Sequence, residues 1–256
     1  MTLFRNVVFV AAIAGLLAGI VMTAMQAYAT VPLILQAETF ENAEAAPAHD
    51  HAEAAPTTDT AAATAPEAAA PAAHDHGEEA WAPADGFERY AYTAAANVVT
   101  AIGFALILVA VSEAFGGILS WRQGLFWGFA GFAVFTLAPG LGLPPELPAM
   151  PAADLAARQV WWIGTVAATA IGLALIAFRR SAPLAILGLA LIVTPHIIGA
   201  PQPESHESPI PANLHHQFVV AATVTSLIFW VVLGGLVGLI RGRFMGSETE
   251  LQRSFA

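Results

Sequence analysis

The chain has 256 residues, 57% hydrophobic and only 11% charged, with a net charge of −10 and a mean hydropathy of +0.66. That composition is of a polytopic membrane protein, not a soluble domain, and the negative balance argues against nucleic acid as a partner. Cysteine is absent and all 9 basic residues are arginine, which removes disulfides, thiolate nucleophiles, Cys-type zinc sites and Schiff-base lysines together.

Six apolar runs can be drawn, at residues 3–29, 93–115, 124–143, 160–178, 182–198 and 217–240. A helix needs ~20 apolar residues to cross a bilayer, in a range of roughly 17–25. The expected fold is therefore all-α: a polytopic helical membrane bundle of about six transmembrane helices. Residues 1–41 are read as a first helix with an acidic exit motif, 42–83 as a linker and 84–256 as a five-helix membrane domain. Ala27-Tyr28-Ala29 matches the A-x-A pattern of a signal-peptidase site. The apolar core before it is longer than the roughly 7–15 residues of a signal h-region, so a retained helix is expected and cleavage is the alternative. Glu38 and Glu41 follow at i, i+3, a spacing that places both on one helical face where they can chelate a cation.

Alanine, proline, threonine and acid dominate the linker, which lacks the apolar content to offset ordering entropy and is expected to be disordered. It repeats one tripeptide, His49-Asp50-His51 and His74-Asp75-His76. Two imidazoles and a carboxylate side by side can ligate a divalent ion, as a shallow collector. Alternating the six spans puts only Arg89 and Arg158 on the linker's side. On the other side, among the acids, stand only Glu113, Glu248 and Glu250. By the positive-inside rule both termini are cytoplasmic and the linker external. Glu113 reads either as a buried carboxylate station or as an acid snorkelling to the interface. Trp121 and Trp127 at the inner boundary, and Trp161 and Trp162 at the outer one, read as aromatic anchors. Gly15 and Gly19, and Gly234, Gly235 and Gly238, permit close helix approach.

The third and fifth runs are expected to end at Pro139 and Pro195, each leading to a proline-rich outer loop with a Pro-Glu pair, Glu146 and Glu204. The fifth-to-sixth loop also holds His196, His206, Glu207, His215 and His216. A short, stiff, acidic, imidazole-rich loop is a landing place for a divalent cation. His215 and His216 diverge by ~100° on a helix, so they are not expected to share one ion. No P-loop, H-E-x-x-H or G-x-S-x-G motif occurs, so no enzymatic machinery is visible.

Several segments resemble the CbtA family. They are Pro32-Leu33-Ile34-Leu35-Gln36-Ala37-Glu38-Thr39-Phe40-Glu41, the stretch around Trp81 and Gly86-Phe87-Glu88-Arg89, Gly142-Leu143-Pro144-Pro145-Glu146-Leu147-Pro148, Asp154 to Trp162, and Pro195-His196 with Gly199-Ala200-Pro201. The resemblance implies the bacterial cytoplasmic-membrane subunit of a cobalt transporter serving cobalamin synthesis, with a small single-span, His-rich CbtB-type partner. The expected function is uptake of a divalent transition metal, Co2+ favoured by the resemblance and Ni2+ or Zn2+ equally compatible with imidazole–carboxylate ligands. No tightly bound cofactor is expected. The partners are the lipid bilayer, the ion and the CbtB-type subunit. The candidate metal ligands are Glu38, Glu41, His49, His51, His74, His76, Glu146, His196, Glu204, His206, Glu207, His215 and His216. The alternative is a membrane-tethered metal buffer or sensor that transports nothing.

Overall fold

The computed structural model describes residues 2–45, 83–84, 86–179 and 181–254. The helices are α1 (Thr2–Ala29), α2 (Val31–Ala45), α3 (Phe87–Glu113), α4 (Trp121–Phe132), α5 (Leu155–Phe178), α6 (Ala182–Ile198) and α7 (Ala212–Ser254). After Phe132, α4 continues through a π-turn, Ala133–Leu137, and a last turn, Ala138–Gly140. No strand occurs among the described residues. Most of the 42–83 linker, with His49, His51, His74 and His76, lies outside the described residues; α2 extends to Ala45 at its start.

Each of the six apolar runs is helical. Four are long and apolar enough to cross a membrane, in α1, α3, α5 and residues 212–243 of α7. With its π-turn and last turn, α4 covers residues 121–140, about 30 Å at 1.5 Å per residue. The 17 residues of α6 fall at the short edge of the spanning range. The prolines do not end their helices as expected. The α4 helix passes Pro139 and stops at Gly140, and α6 passes Pro195 to Ile198. Proline removes one donor and crowds the preceding turn. In α4 the π-turn widens that turn ahead of Pro139, and in α6 only a single turn follows, closed by Gly199 N–H donating to the Pro195 carbonyl at 3.0 Å.

Glycine sets how closely the helices approach. Gly15 and Gly19 of α1 lie against the backbone of Ile102 and Val98 on α3, where any Cβ would collide. Between them Ala11, Ala14, Ala18, Ala101 and Ala105 are fully buried. Gly124 of α4 and Gly234 of α7 meet carbonyl to Cα in the same way. In lipid, where apolar burial alone gives no preference for helix over solvent, such small-residue contacts drive association. Large apolar side chains point outward instead, Val99, Ile163 and Ile186 among them.

The helices run antiparallel in sequence, so their ends sort into two faces. One gathers Arg5, Arg122, Arg179, Arg241 and Arg243 and is called the arginine end. The other gathers Glu38, Glu41, Glu146, Glu204 and Glu207 and is called the acidic end. At the arginine end Arg241 is 5% exposed. It donates to the Ile118 carbonyl at 2.7 Å, pairs with Glu113 and lies against Gly117, whose φ of +75° and missing side chain make room for the guanidinium. Glu113 is therefore an ion-pair partner. Phe115 stacks on Phe178 at 4.1 Å, with Trp127 against both.

Candidate metal vestibule at the acidic end

At Thr30 the chain leaves α1 and restarts as α2, with Pro32 in the first turn, where its missing N–H does no harm. The α2 helix lays Ala37 into a small second core with Leu147, Ile210, Leu214 and Phe218. Three segments far apart in sequence thus form a cap over this end. Glu38, next to Ala37, makes a two-pronged pair with Arg89 of α3, Nη2 to Oε1 at 2.8 Å and Nη1 to Oε2 at 3.2 Å. Glu41 is exposed.

The α4–α5 connection is braced by Glu146, 2.9 Å from Arg158. Asp154 caps α5 by accepting from the Ala157 N–H at 2.8 Å. Trp161 donates its indole N–H to the Pro195 carbonyl at 3.3 Å and packs edge-on against His196, with Gly142 leaving space for its ring. His215 Nε2 lies 3.3 Å from the Pro145 carbonyl. His216 is exposed and turns toward Met25 and Tyr28 of α1; the two histidines diverge, as their spacing predicts. Glu204, His206 and Glu207 are exposed on the α6–α7 loop. Among the described residues no three His, Asp or Glu side chains come together as a ready-made metal cluster. The expected ligands share one end of the bundle but stand as separate groups, several committed to arginine, tryptophan or backbone partners.

Beneath the cap is a cavity of about 570 Å³ between α1, α2, α3, α4 and α7. Glu38 and Arg89 line it at the acidic end, where their side chains are 27% and 28% exposed. The rest of the lining is mostly apolar, with hydroxyls and an amide set into it, notably Gln26, Thr30, Thr136, Thr223 and Ser226. Gln26 is fixed across the α1–α3 seam by Asn97, whose Nδ2 donates to Gln26 Oε1 at 2.7 Å and to Thr23 Oγ1 at 3.1 Å. Thr136, on the π-turn, is 2.9 Å from Ser226 of α7. Aromatic rings of Tyr90, Phe135, Trp162 and Phe218 are part of its wall. Phe135, also on the π-turn, stacks on Trp230 at 5.6 Å, and Trp230 meets Phe104 at 4.9 Å.

A family model described as CbtA, probable cobalt transporter subunit, matches residues 4–241. The chain belongs to the CbtA family. No curated protein and no solved structure matches the chain. The CbtA match runs from the first turns of α1 to Arg241 on α7, and so takes in both ends of the bundle. It makes the chain a multi-pass membrane protein of a transporter-subunit family, with cobalt as the ion that the family description names. The segments that resemble the CbtA family in sequence meet one another at the acidic end: Glu38 with Arg89, Ala37 with Leu147, Glu146 with Arg158, and Trp161 with Gly142 and Pro195.

Reading the sequence for acids and imidazoles passed over Gln26, Asn97, Thr136, Ser226 and the pairing of Arg89. A signal existed for two of them. Gln26 and Asn97 are carboxamides inside apolar runs, and polar side chains at membrane depth are costly enough to mark a function or a partner. Nothing in local sequence marks Thr136, because the π-turn that presents it depends on packing.

Proposed function

We propose that the chain is the membrane subunit of an uptake system for a divalent transition metal, cobalt by family membership, lying in the bacterial inner membrane with both termini cytoplasmic. The supporting observation is the cavity of about 570 Å³ at the acidic end, largely apolar but with Glu38, Arg89, Gln26 and several hydroxyls in its lining. A cavity at this end, reached from the acidic face, is what the outward-facing side of a carrier needs. In this reading the acidic face is external, raises the local cation concentration, and receives its ion with the membrane potential, inside negative, favouring inward movement. The linker collects ions through His49, His51, His74 and His76. His196, Glu204, His206, Glu207, His215 and His216, with Glu38, Glu41 and Glu146, hand them on. A single-span, His-rich subunit of CbtB type completes the system.

Metal accumulation in cells expressing the chain tests this, with and without the candidate partner, across Co, Ni, Zn and Mn at micromolar supply. Wild type is expected to raise internal cobalt. Replacing His196, His206, His215 and His216 by alanine abolishes the rise, and deleting residues 42–80 weakens it only when metal is scarce. The alternative reading is a membrane-tethered buffer or sensor, which binds the ion and moves nothing. Cells that bind cobalt at the membrane yet accumulate none internally, even with the partner present, decide for that reading.

A further inference from the structure

We propose that the apolar groove between α3, α4 and α5 is a binding site for an acyl chain of an anionic phospholipid, whose phosphate is held at the arginine end by Arg122 and Arg179. The site requires a bilayer around the chain and nothing of the ion.

The groove exists because α5 is held away from α3. Gly172 of α5 and Gly188 of α6 meet backbone to backbone, and the buried residues of α5, Thr165, Thr169 and Gly172, share that side. Toward the rest of the bundle α5 is braced by aromatic rings near its two ends. Trp162 meets Phe135 on the π-turn at 6.3 Å, and Phe178 stacks on Phe115 at 4.1 Å with Trp127 beside it. Between these braces α5 presents Val166, Ala170, Leu173, Ala174 and Ala177, one face at helical spacing. Small residues on such a face ordinarily let another helix approach closely. Here they border a groove of about 460 Å³ whose other walls are α3 and α4. No charged residue lines it, and the indole N–H groups of Trp127 and Trp230 are its only polar side-chain atoms. It opens sideways, since Ile107, Val111, Phe126 and Phe178 line it and are exposed.

The dimensions suit a lipid tail rather than a further helix. From Val166 to Phe178 the groove follows α5 for ~18 Å at 1.5 Å per residue. One leaflet's share of a ~30 Å hydrocarbon core is ~15 Å. A spanning helix ~30 Å long and ~10 Å wide fills more than ~2,000 Å³, several times the space available. The end of the groove selects the headgroup. Arg179 follows Phe178 directly, and Arg122 precedes Phe126 by one turn on the same face of α4. Both arginines are exposed. Neither pairs with a carboxylate among the described residues, whereas Arg89, Arg158 and Arg241 each do. Arg122 rests on the ring of Trp121, 5.5 Å from its centroid, a contact that leaves the donors at the guanidinium edge free. Glu113, at the end of α3, is already held by Arg241. Phosphate is the anion a membrane surface offers to such arginines, and a guanidinium binds it two-pronged. Basic pockets between transmembrane helices take lipid headgroups in this way.

The test is photo-crosslinking of the full-length chain in phosphatidylcholine vesicles. The vesicles carry a trace of phospholipid with a diazirine in one acyl chain, as either phosphatidylglycerol or phosphatidylcholine. Mass spectrometry maps the labelled residues. Labelling of the groove is divided by labelling of the exposed face of α6 at Ile186 and Leu189, which reports ordinary contact with lipid. Phosphatidylglycerol is expected to label the groove about fivefold or more above phosphatidylcholine, the value of one arginine beside an anionic lipid surface. Arg122→Gln with Arg179→Gln is expected to bring the two lipids level. Ala170→Leu with Ala174→Leu fills the groove and is expected to lower its labelling by either lipid to that of α6; Ala174→Leu alone serves where the pair does not fold. Size-exclusion elution and helical circular dichroism matching wild type establish that each variant is folded.

Groove labelling that depends on both the arginines and the alanines supports the site. Equal labelling by the two lipids in wild type overturns it. So does a phosphatidylglycerol preference that survives filling of the groove, which is then attraction to the basic face in general. Groove labelling that disappears when a single-span partner subunit is reconstituted with the chain makes the groove a seat for a helix, and overturns it too.

Discussion

At the arginine end, Arg241 is nearly buried, held between a carbonyl and Glu113, and the α4–α7 glycines bring two backbones into contact beside it. At the acidic end the charged pairs Glu38–Arg89 and Glu146–Arg158 are each about a quarter exposed, and loops and the short α2 do the packing around a cavity. Breaking a buried ion pair leaves an uncompensated charge, whereas an exposed one trades easily with water or another ion. The difference teaches a division of labour: one end is a fixed base and the other an adjustable mouth. In the proposed uptake role the ion enters at this mouth, beside carboxylates that keep contact with solvent.

The base should break most readily by steric insult. In Gly234→Leu the new side chain meets the Gly124 carbonyl and the Gly128 backbone, which cannot rotate aside. The expected loss is at least ~3 kcal/mol, the upper end for overpacking, read as a lowered thermal or detergent-unfolding midpoint. An unchanged midpoint would mean that α4 and α7 do not cross at these glycines. Next comes Arg241→Met, which keeps the stem but strands Glu113 and the Ile118 carbonyl. About 3 kcal/mol is expected, the lower end for a broken buried pair because Glu113 keeps 26% exposure. The double variant with Glu113→Gln should recover part of the loss, since no charge is then stranded.

Much of the base was legible in the sequence and much of the mouth was not, for physical reasons. Apolar length announced six helices, and glycines at helical spacing announced where they touch, because both signals are local. In the sequence Arg241 is only one more arginine after an apolar run; that Gly117 and Ile118 shape a socket for it depends on contacts 123 residues apart. At the mouth, the acids and imidazoles among the described residues share one end of the bundle. Which partner each takes was not readable: Glu38 and Arg89 are 51 residues apart, and no periodicity says where the side chains of an irregular loop point. The π-turn at Ala133–Leu137 is equally hidden, since a proline such as Pro139 reads as a helix stop rather than as the sequel to a widened turn.

Two gentler substitutions sharpen the comparison. Asn97→Ala removes the clasp on Gln26 and Thr23 and is expected to cost about 0.6 kcal/mol, the average for hydrogen bonds between membrane helices. Its sharper readout is Co2+ binding, because Gln26 is then released from the α1–α3 seam while the fold persists. Weaker binding with a nearly unchanged unfolding midpoint would place Gln26 orientation in the site's function.

The smallest effect is expected from Glu146→Gln. Its pair with Arg158 is exposed enough that removing it should change stability by less than about 1 kcal/mol, and salt should erase most of that difference. If the mouth is as adjustable as its exposed pairs imply, this variant unfolds with wild type in high salt and only slightly earlier in low salt. A loss approaching that of Arg241→Met would instead make the α4–α5 loop a second fixed point. The acidic end would then be a rigid rim, and an ion reaching Glu38 would have to enter without any loosening of the cap formed by α2, Leu147 and Ile210.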